Sequence, residues 1–408
     1  MTGVLGLQWG DEGKGKVIDQ LADGFDVVVR CQGGANAGHT VVVGGQKLVL
    51  HLLPAGVLHR RATCVIGNGV VIDPIALAAE LAQLKSAEVD VASRLKISDR
   101  AHLVMPWHRR RDADAETRKG NSKVGTTQRG IGPCYEDKAA RVGLRAGLTN
   151  SVDFESRVRS LADGATEDEI VQVLQACREM SRYVCDTFSF LHEQAERGAK
   201  ILFEGAQGAM LDIDFGTYPY VTSSSTGIGG IITGSGLPPK YLGEVIGILK
   251  AYSTRVGNGP FPTELLNSRG DAIRERGAEY GATTGRPRRC GWLDLVVGRF
   301  ACRLNGVNSI ALTKLDVLCG ESELRICAKY RLHDREFDGS VPARLSDYEA
   351  VTPVYTTMNG WEDPIRSCRR FADLPNAAQN YILAIENHLA VPIRWIGTGP
   401  DRDDVIKR

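Results

Sequence analysis

An α/β fold is predicted, with a mostly parallel central sheet flanked by helices and with long Gly-rich loop excursions. Three observations predict it. Short apolar runs bounded by Gly, Asp or Pro (VLGLQW, DVVVR, CVIGNGVVI, KILFEG, EVIGILKAYS, NSIALTKLD and VPIRWIG) read as buried strands. Helical patterns lie between them, at Pro74 to Lys85, about Glu167 to Arg197, Trp292 to Leu304 and Pro375 to His388. Glycine, 46 residues in all, concentrates in QGGANAGHT, GTTQRGIGP, STGIGGIITGSG and GATTGRPRRCG, phrases that do not read as interiors of regular strands or helices. With no repeat, low-complexity tract or Pro/Ser-rich linker, residues 1–408 read as a single domain whose loops carry ligand contacts.

Charge narrows the function classes. Lys plus Arg total 50 against 49 acids, and a net charge of +1 supplies no broad field for nucleic acid or an anionic membrane. Any phosphate recognition is therefore local. The N-terminus is polar and Gly-rich, and no apolar window is long enough to span a bilayer, so a cytoplasmic protein is expected. Ten cysteines without a C-x-x-C pair read as reduced, mostly buried thiols and not as zinc ligands.

The first strand runs into QWGDEGKGKVID, where Gly10 to Lys16 has the G-x-x-x-x-G-K spacing of a phosphate loop between a strand and a helix. Gly10, Gly13 and Gly15 let backbone N–H groups converge on phosphate oxygens, the helix start adds its positive end, and Lys14 or Lys16 adds charge. Val17 stands where a Ser or Thr hydroxyl would bind magnesium. Asp11, inside the loop, is the acid that could ligate the metal or take a proton from a substrate beside the phosphates.

QGGANAGHT follows the second strand and sets Asn36, Gly38, His39 and Thr40 at the carboxyl end of the sheet, where ligands of open α/β sheets bind. His39 is the candidate to stabilise charge on a leaving nucleotide. NSIALTKLD ends in Thr313-Lys314-Leu315-Asp316, a variant of the N/T-K-x-D guanine reader. Its carboxylate would accept from N1–H and the 2-amino group while the lysine stem lies along the ring. WIGTGPD, from Trp395 to Asp401, is a second strand ending in glycines that could close on the same base. GATTGRPRRCGW gathers Arg286, Arg288 and Arg289 with Thr283 and Thr284, suited to bidentate capture of a carboxylate or phosphate.

Together these phrases resemble the adenylosuccinate synthetase family: WGDEGKGK, QGGANAGHT, IGNGVVI, GTTQRGIGPCYEDKAAR, FEGAQG, DFGTYPYVTSS, KAYSTRVGNGPFPTEL, GATTGRPRR, LTKLDVL and GTGPDR. The resemblance runs from the first strand almost to Arg408. It implies a P-loop-related α/β fold, a cytoplasmic homodimer, one Mg2+ per subunit and GTP as co-substrate. It also implies ligation of L-aspartate to IMP through a 6-phosphoryl-IMP intermediate, giving adenylosuccinate, GDP and phosphate on the route to AMP. Asp11 and His39 are the implied catalytic pair. Carried over, IMP contacts fall on Asp11, Lys14, Asn36, Ala37, Gly38, His39, Thr127, Arg141, Gln207, Thr222 and Arg286, with Arg141 reaching the partner's nucleotide. Aspartate contacts fall on Ala282, Thr283, Thr284, Gly285, Arg286 and Arg288. GTP contacts fall on Gly10, Glu12, Gly13, Lys14, Gly15, Lys16, Gly38, His39, Thr40, Arg288, Lys314, Leu315, Asp316, Gly397, Thr398 and Gly399. Mg2+ meets Asp11 and the carbonyl of Gly38.

Three features near the expected nucleotide depart from the family pattern: Ala35, Gln128 and the phrase SSSTGIGG. Some relatives ligate aspartate to a guanine nucleotide, which makes (d)GMP the alternative substrate. Retention of Asp11 favours IMP, because the clearest divergent relatives lack that acid. A GTP-binding switch is the reading from another class, and Val17 and the arginine loop speak against it.

Overall fold

The computed structural model describes the chain except residues 37, 44, 45, 121, 122 and 282–284, and describes the backbone alone for 39–43 and 46–48. The fold is α/β, with a large, mostly parallel sheet flanked by helices. The chain divides into two compact units. The first comprises Met1–Gly3, Ile18–Ala206 and Thr222–Gly243, and the second Val4–Val17, Gln207–Val221 and Glu244–Arg408. Among the described residues no helix is long and apolar enough to cross a membrane.

In the first unit five strands run parallel in the order Ile201–Glu204, Val27–Arg30, Thr63–Ile66, Leu95–Ser98 and Val184–Cys185. Strands this apolar are buried on both faces, as the crossover helices require. Helix Pro74–Ser86 starts where the Asp73 side chain accepts from the Ala76 N–H and Pro74 fills the first turn. Its Leu77 and Leu84 join Ile170, Val173, Leu174 and Cys177 of helix Glu167–Ser181 in one core.

The same unit clasps the segment after Val27–Arg30 with buried charge. Arg30 is fully buried and donates to the carbonyls of Gly34, at 2.7 Å, and His51. Glu80 reaches across from its helix and accepts from the N–H groups of His51, Leu52 and Leu53. Between these anchors runs an antiparallel hairpin, His39–Val43 with Gln46–Leu50.

Two expectations are corrected here. The pattern from Glu167 to Arg197 is two helices, Glu167–Ser181 and Thr187–Glu196, because Val184–Cys185 pairs as an edge strand and Asp186 caps the second helix through the Phe188 and Ser189 N–H groups. STGIGGIITGSG does hold a helix, Ile228–Ser235. A Cβ on Gly234 would stand 1.9 Å from the Cys31 carbonyl, so the glycine lets this helix lie directly on backbone and is not a mark of irregularity.

In the second unit Glu244–Lys250, Ser309–Thr313 and Ile393–Gly397 run parallel, and Val405–Lys407 closes the edge antiparallel. An antiparallel ladder of Glu321–Leu332 with Thr352–Trp361 and Arg335–Phe337 covers a core of Trp9, Met210, Phe261, Val296, Val297, Tyr330 and Tyr348. The helix expected from Trp292 begins at Leu295, because Leu293–Asp294 first pairs with Ile326–Cys327 and Asp294 then caps the helix.

Burial pushes the Glu80 carboxyl up to about 7, against the backbone N–H bonds and Arg30 that favour its charge. The folded chain thus holds a proton that the unfolded chain releases near 4.5. The group's contribution to stability is complete below that value and is lost as pH rises toward 7. Urea denaturation between about pH 5 and 7 should show wild type losing on the order of 2 kcal/mol relative to Glu80→Gln. Parallel pH profiles for the two proteins would remove Glu80 as the titrating group.

Candidate active site

The phosphate-loop phrase is shaped by its own acids. Glu12 is fully buried, with one carboxylate oxygen accepting from the Gln8 and Gly10 N–H groups at 3.0 and 2.9 Å and the other 2.6 Å from the Lys14 ammonium. A Cβ on Gly6 would fall 2.5 Å from that second oxygen, so a side chain there would evict the carboxylate. Helix Lys14–Ala22 starts directly behind the loop and turns its N-terminal end toward it. Asp11 is instead turned outward, in the left-handed region at φ 58°, with 38% of its side chain exposed.

Three further loops of the second unit meet this one. Arg288 lies with its Nε 2.8 Å from Asp11 Oδ2 and its Nη1 2.7 Å from Glu279 Oε2. The other oxygen of Glu279 takes the ammonium groups of Lys250 and Lys314, each at 2.9 Å, and the Tyr252 hydroxyl. Thr313, at the end of its strand, donates to the Glu12 carbonyl at 2.5 Å, which ties the T-K-x-D turn to the phosphate loop. Lys16 donates to the carbonyls of Gly399, at 2.7 Å, and Asp404, at 3.0 Å, and so grips the GTGPD turn.

Electrostatics in this group follow from burial and pairing. Desolvation alone would raise Glu279, but Lys250, Lys314 and Arg288 overcome it and hold the carboxyl below the ordinary range. Burial lowers Lys250 despite Glu279. Arg288 is raised because Asp11 and Glu279 outweigh its desolvation. Burial raises Asp316, which Lys314 and Lys16 only partly offset. Asp316 Oδ1 and Thr398 Oγ1 are buried without a hydrogen-bond partner among the described residues. Two orphaned polar atoms at neighbouring strand ends call for a ligand that supplies donors.

Of the remaining sequence candidates in the second unit, Gly397 and Gly399 are buried at the GTGPD turn, and Leu315 is fully buried below the T-K-x-D turn. Gln207 is half-buried with φ 59°. Gly285 and Arg286 are exposed at the arginine loop, whose base is closed by the Tyr280–Pro287 bridge and the Gly281 N–H to Arg286 carbonyl bond.

The first unit carries its own group. Asn36 donates to the Thr222 hydroxyl at 3.2 Å and accepts from the Gly34 N–H. Tyr135 accepts from the Gly33 N–H and donates to the Gly69 carbonyl at 2.6 Å. Thr127 is exposed on a loop held by Glu116, which accepts from Val124, Gly125 and Thr126, and by Asp112, which accepts from Gly130. Arg141 ends helix Ile131–Ala140 in the left-handed conformation and is exposed. Gly38 is half-buried before the hairpin. Ala37, Ala282, Thr283 and Thr284, and the side chains of His39 and Thr40, lie outside the described residues.

Residues 3–406 match the family model described as adenylosuccinate synthetase. The chain belongs to the adenylosuccinate synthetase family. It is 49% identical to an adenylosuccinate synthetase of Chromohalobacter salexigens, over 99% of this chain and 97% of the relative. A solved structure of a fully ligated adenylosuccinate synthetase from Plasmodium falciparum superposes with a TM-score of 0.96 at 43% identity, covering 100% of this chain and 99% of the other. A cyanophage S-2L succinoaminodeoxyadenylate synthetase bound to dGMP and dATP gives 0.65 at 21% identity, over 100% of this chain and 94% of the other, and so shares the fold. As a member of the family, the chain is a C–N bond-forming ligase of purine biosynthesis that uses GTP to join IMP and L-aspartate.

Sequence reasoning passed over Glu279, Lys250, Tyr252 and Gln8. Gln8 holds the turn after Glu244–Lys250, donating to the Tyr252 carbonyl and accepting from the Lys250 N–H. Glu279 had one available signal: it is the lone acid in EYGATTGRPRR, a short phrase with three arginines.

Proposed function

We propose that ligation proceeds by phosphorylation of IMP at O6 and displacement of that phosphate by the aspartate amine, on the residues that match the family's motifs. In the first step Asp11 takes the N1 proton, the freed electron pair moves onto O6, and O6 attacks the γ-phosphorus of GTP as GDP leaves. His39 hydrogen-bonds the leaving phosphate. In the second step the neutral aspartate amine attacks C6, phosphate departs with the C–O electrons, and the proton released from the new C–N nitrogen passes to the departing phosphate. A purine oxo group leaves poorly, and phosphorylation converts it to a good leaving group.

The observation that carries this reading is the 2.8 Å contact between Asp11 and Arg288. It brings the acid of the phosphate loop against the arginine loop, within the network that also holds Lys314 of the base-reading turn. Aspartate's carboxylates suit Ala282 to Arg288, and guanine suits Lys314, Asp316 and the turn Gly397 to Gly399. IMP suits Asn36, Thr127, Arg141, Gln207, Thr222 and Arg286.

Magnesium fits the donors present. It prefers hard oxygen ligands and binds through one or two carboxylates plus substrate phosphates, and Asp11 offers a half-open carboxylate at the mouth of a phosphate loop. Asp11 and the Gly38 carbonyl would hold the ion, which when bound neutralises charge on the phosphate oxygens. The whole chain acts as one catalytic domain in a cytoplasmic homodimer, with Arg141 serving the partner's nucleotide. (d)GMP is the second substrate to test, because Ala35, Gln128 and SSSTGIGG depart from the family pattern.

GDP release should require IMP and aspartate together, and a panel of IMP, dIMP, GMP and dGMP should show turnover with IMP. Hydrolysis indifferent to both co-substrates would refute the ligase chemistry, and turnover with dGMP alone would replace IMP. Asp11→Asn should fold normally by circular dichroism yet lose about 10³-fold in kcat; a loss of only a few-fold would take Asp11 out of the proton transfer. Asp316→Asn should cut the preference for GTP over ATP by about 10- to 100-fold in kcat/KM, whereas an unchanged preference would move base recognition elsewhere.

A further inference from the structure

Glu279 touches none of the groups assigned to a ligand except through two cations, Arg288 and Lys314. Both belong to the proposed GTP contacts, one on the arginine loop, where it is shared with the proposed aspartate contacts, and the other on the base-reading turn. The carboxylate is wholly buried, as is its third cation, Lys250, whereas Arg288 and Lys314 remain 11% and 31% exposed. The burial runs inward from the two side chains that face a ligand to the one that fixes them.

The backbone around Glu279 is built to keep it there. Its N–H donates to the Arg274 carbonyl, its carbonyl accepts from the Arg288 N–H, and Arg274 Nε returns to the Arg288 carbonyl at 2.7 Å. Lys314 adds a bond to the Gly277 carbonyl at 2.6 Å, two residues before Glu279. Arg288 and Lys314 are therefore held by one short segment, residues 274–279. Lys250 and the Tyr252 hydroxyl, from the turn after Glu244–Lys250, close the far side.

We propose that Glu279 is a positioning residue for GTP, a single buried carboxylate that sets Arg288 for the phosphate end and Lys314 for the base end of the same nucleotide. The proposal rests on the reading of Arg288 and Lys314 as GTP contacts. Without the carboxylate, Lys250 and Lys314 lose the anion between them and Arg288 keeps only Asp11, so the three cations separate. The nucleotide then has to gather side chains that Glu279 holds in place beforehand, and its apparent affinity falls. IMP is affected less: of its proposed contacts Asp11 touches Arg288, but none is held by Glu279 itself.

The test is steady-state kinetics of the full-length chain with GTP varied at saturating IMP and aspartate, then IMP varied. Glu279→Gln should raise KM for GTP by about 10-fold or more and leave KM for IMP within about 2-fold; Glu279→Asp, which keeps the charge on a shorter arm, should fall between it and wild type. Should Glu279→Gln fail to fold by circular dichroism, the split in Glu279→Asp decides. Equal rises in both KM values, or a fall in kcat with both unchanged, would mark a structural role and overturn the proposal. Lys314→Met run alongside separates the two possible failures. If it leaves KM for GTP unchanged, the GTP reading of Lys314 falls and takes the proposal with it. If it raises KM while neither Glu279 variant does, the proposal alone is overturned.

Discussion

Glu279 sits out of water with its oxygens facing Lys250, Lys314 and Arg288, and a carboxylate so placed cannot shift without leaving Lys250 and Lys314 unbalanced and Arg288 with Asp11 alone. Glycine-rich loops have little side-chain packing with which to define themselves, so their shape comes from buried polar contacts. Glu12 does for the first loop what Glu279 does for the arginine loop: it takes up the N–H groups of Gln8 and Gly10 and the Lys14 ammonium. Desolvation is costly for each acid alone, and the pairing turns that cost into a fixed geometry. The result is a set of turns that are irregular in backbone yet specified in position.

The first unit solves the same problem with a different pair. Arg30 and Glu80 take opposite backbone groups around His51, the arginine its carbonyl and the glutamate its N–H. The segment from Gly34 to Leu53, which includes the hairpin, is thereby anchored at both ends.

Much of this was legible in the sequence. Strands such as Val27–Arg30, Ile201–Glu204, Glu244–Lys250 and Ser309–Thr313 followed from short apolar runs, whereas the ladder of Glu321–Leu332 with Thr352–Trp361 did not; the Gly-rich first loop, T-K-x-D turn and arginine loop stood out by residue types whose spacing has a chemical reason. Less visible were features set by tertiary contact. Glycines in Ile228–Ser235 look like loop formers, but at Gly234 the residue serves contact with the Cys31 carbonyl, which no local pattern encodes. The break after Ser181 is written only in Asp186 as a cap, inside an otherwise continuous helical pattern. Glu279 was hidden for a related reason: an acid beside three arginines reads as local charge balance, and two of its three cations come from sequence positions 29 and 35 residues away.

Asp11 occupies the left-handed region at φ 58°. That backbone state penalises side chains with a bulky or branched Cβ and is tolerated best by glycine, asparagine and aspartate. The loop's geometry thus narrows which replacements a descendant could adopt without refolding the turn. A lineage that abandoned the acid would reach glycine or asparagine by the least strained route, so the turn limits how this position can change over evolutionary time.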